Sequence, residues 1–157
     1  MVGPEDGRAL DLDGLGVRFL VDGGQTARHF ALVEHPLAAR TLGAAVHTHT
    51  REDEYSFVLE GRVGLQIGDH EIEAGPGDLV LKPRGVPHAF WNATDAPARL
   101  LEIISPAGFE RFFDELGALM AHADEDAVEA LLQRYGIAMD FESGRVLAAR
   151  HGLRNEF

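Results

Sequence analysis

The sequence contains no cysteine, so disulfides, thiolate metal sites, iron–sulfur clusters and cysteine nucleophiles are excluded. Any metal ion would have to be bound through nitrogen and oxygen atoms. The eight histidines are therefore the first residues to consider as ligands.

Basic residues and long apolar runs are also scarce. The chain has 14 lysines and arginines against 26 aspartates and glutamates, a formal net charge of -12. Such a surface repels phosphate backbones and anionic lipid head groups, so neither nucleic acid nor a membrane is an expected partner. No apolar stretch approaches the roughly 18–20 residues of a membrane span. Residues 1–6 lack the basic and apolar segments of a secretory signal, and a cytoplasmic location is expected.

Glycine and proline are spread along the chain in small groups that are typical of tight turns. With 157 residues the chain suits one domain, and its 18 glycines and 7 prolines favour many short strands. After a loose leader up to about Leu15, the apolar pattern predicts an all-β sandwich or barrel, with an irregular stretch at Ala38–Ala44. The predicted strands are Val17–Val21, Thr26–Val33, a strand from Ala45, Glu54–Leu59, Val63–Ile67, His70–Glu73, Leu79–Leu81, Pro87–Asn92 and Arg99–Ile104.

The pattern changes to helical spacing after Ile104. Ser105 and Pro106 predict the start of a first helix. A second helix is expected to begin at Asp124 and end at Gly136, and a third to run from Ser143 to His151. The prediction is therefore one domain over residues 1–157, with a barrel at about 15–104 and a helical tail at about 105–157. The aromatic stripe of the first helix is expected to pack against the barrel; it comprises Phe109, Phe112 and Phe113.

Three histidines and one glutamate fall where strands could bring them together. His47 and His49 are two residues apart in a predicted strand, so both side chains point to the same face. Glu54 opens the next strand, and His88 lies in a later one. Imidazoles and a carboxylate that converge from separate strands can hold one metal ion. The alternative is a pair of histidines on an exposed strand face.

The residues around these candidates form two longer patterns. The first is His47-x-His49, four residues, Glu54, six residues and Gly61. The second is Gly77, five residues, Pro83-x-Gly85, two residues, His88, three residues and Asn92. The two patterns resemble the two signature motifs of the cupin superfamily over about residues 17–104. The first departs at Thr41, where the family often has a glycine, with Gly43 two places later.

The resemblance implies a fold, a cofactor and an assembly. The fold is the cupin-type double-stranded β-helix, or jelly roll, and single-barrel members resembling this chain are often homodimers. The cofactor is one divalent transition metal bound by His47, His49, Glu54 and His88. The donor set accepts iron, manganese, nickel, copper or zinc. Glu52 and Asp53 compete with Glu54 as carboxylate ligands, and the spacing to Gly61 favours Glu54.

Strand parity gives the expected pocket wall. Ser56 and Val58 share the parity of Glu54, and Phe90 and Asn92 share that of His88, so these four are expected to line a substrate pocket. Tyr55, Phe57 and Trp91 have the opposite parity and are expected in core packing or a dimer interface. Solvent-facing or structural roles are expected for Lys82, His29, His35, His70, His122 and His151.

The tail suggests an activity. The segment Ser-Pro-x-Gly-Phe-Glu-Arg-Phe-Phe after the barrel resembles small bacterial cupins that are compared with quercetin 2,3-dioxygenases. Members with that activity open a flavonol ring with O2 at a metal bound by three histidines and one glutamate, which implies that Glu54 is both ligand and general base. The expected function is a dioxygenase acting on a small oxygenated aromatic or enol. The alternatives are a non-oxidative metal-dependent isomerase, cyclase or decarboxylase, and a small-molecule-binding cupin without turnover.

Overall fold

Two antiparallel sheets and a C-terminal helical part make up the fold. A computed structural model describes residues 1–120 and 125–154. Within these ranges the helices are α1 (Glu110–Met120), α2 (Glu125–Tyr135) and α3 (Phe141–His151). The strands are β1 (Arg8–Leu12), β2 (Leu15–Val21), β3 (Ala31–Leu37), β4 (Thr41–His49), β5 (Asp53–Glu60), β6 (Val63–Ile67), β7 (His70–Ala74), β8 (Leu79–Lys82), β9 (His88–Asn92), β10 (Ala98–Ser105) and β11 (Ile137–Asp140).

From β3 onward most consecutive strands lie in different sheets, whereas β1, β2 and β3 share one sheet and β6 and β7 share the other. One sheet has the order β1-β2-β3-β10-β5-β8 and the other β11-β4-β9-β6-β7. Side chains from both sheets meet in one apolar core, in which Val33, Val58 and Leu100 of the first sheet pack with Val63 and Leu65 of the second. Each such buried aliphatic side chain contributes roughly 1.5–3 kcal/mol to folding. The predicted β barrel with a helical tail is confirmed.

Three strand predictions are wrong, because strand pairing, and in one case a run of turns, decides where the strands begin. The predicted leader contains β1, which pairs antiparallel with β2. The strand expected from Thr26 begins only at Ala31, since residues 22–29 form turns in which the Arg28 amide donates to the Gly23 carbonyl. The stretch expected to be irregular belongs largely to β4, which starts at Thr41 and pairs with β9.

The tail also departs from prediction at its element ends. Helix α1 begins at Glu110, because Ser105 still belongs to β10 and its hydroxyl donates to the His29 carbonyl. Asp140, not Ser143, caps α3, since its carboxylate accepts from the Ser143 amide. Strand β11 was not predicted. The predicted cap at Asp124 lies outside the described residues.

The aromatic stripe of the tail packs as predicted. Phe109, Phe112 and Phe113 are buried in the same core as the barrel residues, and the Phe109 and Phe112 rings stack at 5.1 Å. Trp91 faces the other side of its sheet, where it stacks on His151 of α3 at 4.5 Å. None of the helices in the described ranges is long and apolar enough to cross a membrane.

Candidate metal centre

Both sheets contribute to a cluster of four buried side chains inside the barrel. His47 and His49 extend from β4, and His88 extends from the adjacent β9 at the position paired with His47. Glu54 extends from β5 in the other sheet. One potential ligand atom from each of the four lies within 4.8 Å of all the others. The four residues that the sequence singled out therefore meet at one point.

The backbone fixes the orientation of two imidazoles. The Nδ1–H of His47 donates to the Ala45 carbonyl at 2.8 Å, and that of His88 donates to the Val86 carbonyl at 2.9 Å. A hydrogen bond of this kind sets the tautomer and leaves Nε2 free to bind a metal. His49 Nε2 lies 3.5 Å from Glu54 Oε1, and His88 Nε2 lies 3.3 Å from Glu54 Oε2.

Two of these nitrogens lack a partner that a buried polar atom normally requires. His49 Nε2 and His88 Nε2 are buried, and neither makes a hydrogen bond with any described residue. Burial, reinforced by the neighbouring imidazoles, holds the pKa of His47 well below its ordinary value, and burial also lowers the pKa of His88. Both imidazoles are therefore neutral near pH 7, as metal ligands must be. Three imidazoles and a carboxylate fit a divalent first-row transition metal.

The two competing carboxylates lie outside this cluster. Asp53 pairs with Arg84, whose Nη2 is 2.7 Å from Asp53 Oδ2. This hydrogen-bonded pair lowers the pKa of Asp53 to about 2. Glu52 is buried behind His49, with Oε2 3.6 Å from Nδ1, which is beyond hydrogen-bond distance. The preference for Glu54 agrees with this geometry.

The expectation that Lys82 has a solvated surface role is wrong. Its side chain is only 1% exposed, and its ammonium lies 2.9 Å from Glu54 Oε2 and 2.8 Å from Glu102 Oε2. The Ser56 hydroxyl donates to the same Glu102 oxygen at 2.8 Å. Along β8 Val80 and Lys82 are buried while Leu79 and Leu81 are exposed, so the apolar pattern of this strand gave no signal that Lys82 points inward.

These neighbours set the ionisation of the two glutamates. Burial alone would raise the pKa of Glu54, but the Lys82 ammonium and the adjacent imidazoles bring it well below its ordinary value. Burial raises the pKa of Glu102 to about 7, against the opposing effect of Lys82. Glu54 is therefore ionised near pH 7, as a metal ligand requires.

The predicted pocket wall is buried, and its members have different surroundings. Ser56 is hydrogen-bonded to Glu102, and Val58 belongs to the apolar core. The Phe90 ring lies 5.3 Å from the Lys82 ammonium. The Asn92 amide donates to the Ala38 carbonyl at 3.0 Å, and its Oδ1 accepts from the Thr94 amide, so Asn92 holds a loop. Contact of these four residues with a substrate stays a prediction.

Phe109 was expected only to pack, yet it contacts a proposed ligand. Its ring lies 4.4 Å from the His49 ring, edge to face. Phe113 contacts both Phe109 and His35, another buried imidazole inside the barrel. The start of the tail therefore covers the cluster with aromatic side chains. No sequence spacing relates Phe109 to His49, because the contact depends on how the tail folds back.

Comparison with known proteins identifies the fold family. Residues 36–104 match the Cupin domain family, and this range contains all four clustered residues. Solved cupin structures share the fold. Residues 36–104 therefore form a cupin domain.

Three relatives indicate the range of proteins to which the chain is similar. The polyketide cyclase RemF from Streptomyces resistomycificus is 29% identical, with a TM-score of 0.59 over 67% of this chain and 78% of that one. A sugar phosphate isomerase from a cupin superfamily, from Silicibacter pomeroyi, is 30% identical, with a TM-score of 0.53 over 59% of this chain and 60% of that one. The probable oxidoreductase virH from Hypocrea virens is 28% identical over 98 residues, 60% of this chain and 45% of that one. The chain spans about half the length of the curated relatives it matches.

Proposed function

We propose that this cupin is a metal-dependent enzyme acting on a small oxygen-bearing organic molecule, and that the reaction is dioxygenation of an aromatic or enol. The observation that supports it is that Nε2 of His49 and Nε2 of His88, which are buried and make no hydrogen bond with the described residues, lie close to the Glu54 carboxylate. A divalent transition metal held by these residues and His47 would supply Lewis acidity and redox chemistry. The similarity to the probable oxidoreductase virH agrees with an oxidative reaction.

Glu54 is the residue proposed to move a proton. Its carboxylate is ionised near pH 7 because Lys82 and the imidazoles keep its pKa low despite burial. A carboxylate in this state can accept the proton of a substrate hydroxyl that lies within hydrogen-bond distance. The rings of Phe90 and Phe109 would exclude water from the reacting group and suit an aromatic substrate.

The test compares Glu54→Gln with wild type at equal metal occupancy. Glutamine keeps the size and one oxygen but cannot take up the proton, so turnover should fall by roughly 10²–10⁴-fold. Asp53→Asn is the matched control, because it neutralises the adjacent carboxylate outside the cluster and should leave turnover near normal. Near-normal turnover in metal-matched Glu54→Gln protein would exclude Glu54 as the base.

A non-oxidative reaction is the second candidate. It is supported by the similarity to a polyketide cyclase and to a sugar phosphate isomerase. Oxygen uptake measured with candidate polyhydroxylated aromatics separates the two. Consumption of one O2 per substrate supports the dioxygenase, whereas substrate loss under nitrogen supports a cyclase, isomerase or decarboxylase. Saturable binding with no loss under either atmosphere would indicate a binding protein without turnover.

The homodimer is proposed from an apolar outer face. Tyr55 and Phe57 of β5 pair with Leu81 and Leu79 of β8, the edge strand of their sheet. Leu79 and Leu81 are each about half exposed. A second copy could bury this face, as exposed apolar patches often indicate an interface. Light scattering should give twice the chain mass for wild type and a monomer for Leu81→Glu. A monomeric wild-type protein would contradict the proposal.

A further inference from the structure

The most unusual charge in the barrel is a buried lysine next to a proposed metal ligand. Lys82 lies on β8 at the position paired with Glu54 of β5, so the register of the two strands brings the side chains together. Its ammonium contacts Oε2 of Glu54 at 2.9 Å. Burying an ammonium is costly unless it is paired and hydrogen-bonded. The buried Lys82 ammonium therefore indicates a role beyond packing.

A second carboxylate holds the lysine in place. Glu102 Oε2 lies 2.8 Å from the Lys82 ammonium and also accepts the hydroxyl hydrogen of Ser56 at 2.8 Å. Glu102 and Ser56 are paired across β10 and β5, so the arrangement is built from three neighbouring strands. The ammonium therefore has a fixed position from which to act on Glu54.

Both oxygens of Glu54 face the cluster. Oε1 lies 3.5 Å from His49 Nε2, and Oε2 lies 3.3 Å from His88 Nε2. A carboxylate placed in this way could offer one oxygen or two to the same ion. The difference matters, because a second oxygen would occupy a coordination position that a substrate or co-substrate needs.

We propose that Lys82 is a positioning residue that retains Oε2 of Glu54, so that Oε1 alone is offered to the metal. The inference rests on the proposed metal site but on neither proposed reaction. The ammonium contact at 2.9 Å is shorter than the distances of 3.5 Å and 3.3 Å from Glu54 to the His49 and His88 imidazoles. Single-oxygen coordination by Glu54 is then a property of the β5–β8 register, and Glu102 acts only by holding Lys82.

The competing explanation is that Lys82 only neutralises Glu102. Lys82→Met and Glu102→Gln separate the two roles when they are made singly and together. In the double variant the charge of Glu102 is removed together with Lys82, so only Glu54 loses a charged partner, and a bound cation can replace that partner. Each protein is loaded with Co²⁺ to equal occupancy, and its visible spectrum and X-ray absorption are recorded.

The expected result is a change that follows Lys82 alone. Wild type and Glu102→Gln should share one spectrum. The double variant should gain one oxygen in the first shell, with weaker and shifted cobalt bands, because a higher coordination number weakens these bands. A double-variant spectrum that superimposes on wild type would overturn the assignment. So would a double variant that fails to fold while Glu102→Gln folds, because Lys82 would then be a structural requirement. Failure of wild type to take up Co²⁺ would instead refute the metal site itself.

Discussion

His35 should make the protein sensitive to acid. Its imidazole is 2% exposed, its Nδ1–H donates to the Gly16 carbonyl at 2.9 Å, and its ring lies against Phe90 and Phe113. Burial lowers the pKa of His35 to about 4, from an ordinary value of 6.5. The folded protein therefore keeps this imidazole neutral over a range of pH in which the unfolded chain protonates it.

The sign and size of the effect follow from the two pKa values. As pH falls below 6.5 the unfolded chain binds a proton at His35 that the folded chain refuses, so the free energy of unfolding decreases. The loss ends near pH 4, where the folded state is protonated as well. At about 1.4 kcal/mol for each pH unit between these values, the contribution of His35 amounts to about 3 kcal/mol.

Urea unfolding of His35→Asn tests this reasoning. Asparagine keeps a donor for the Gly16 carbonyl and removes the titrating ring. Between pH 7.5 and 4.5, with a chelator present, wild type should lose about 2–3 kcal/mol more stability than the variant. The buried ligand imidazoles contribute equally to both proteins, and His70→Asn, at an exposed position, should behave as wild type. Equal losses in wild type and His35→Asn would refute the reasoning.

Three further predictions concern the cluster and its cover. Elemental analysis should find about one metal ion per chain in wild type. The metal content should fall far more in His47→Ala, His49→Ala and His88→Ala than in His70→Ala. Equal losses in all four variants would mean that the proposed ligands are wrong. Metal binding should weaken below about pH 6, because imidazole ligands must be neutral. Phe109→Ala should reduce the free energy of unfolding by about 3–5 kcal/mol through the cavity it leaves, whereas Phe30→Ala, at an exposed position, should cost much less.

The four clustered residues could be predicted because their arrangement depends on local rules. His47 and His49 share a strand face by parity alone, and the spacing to Gly61 selected Glu54 from three adjacent acids. Gly61 indeed has a positive φ of 73°, which glycine adopts without strain. Nothing in this reasoning required knowledge of which strands become neighbours. The superfamily resemblance supplied that step.

The features that were missed depend on pairing between strands. Strand β11 spans four residues of the tail and exists because it pairs with β4, at the positions of His47 and His49. Strand β1 likewise depends on β2. Lys82 looked like a surface residue because charge usually indicates exposure, and only its register with Glu54 places it inside. In each case the partner strand, not the local sequence, determines the outcome.

An ion pair lies beside the cluster. Burial alone would raise the pKa of Glu54, but the Lys82 ammonium and the imidazoles lower it, so the carboxylate is ionised near pH 7. Burial alone would lower the pKa of Lys82, but Glu102 and Glu54 raise it, so the ammonium stays protonated. Glu102 has a pKa of about 7 and is therefore only partly ionised at neutral pH. Lys82 thus keeps Glu54 in the ionised form before any cation binds, which is the form that a metal ligand requires.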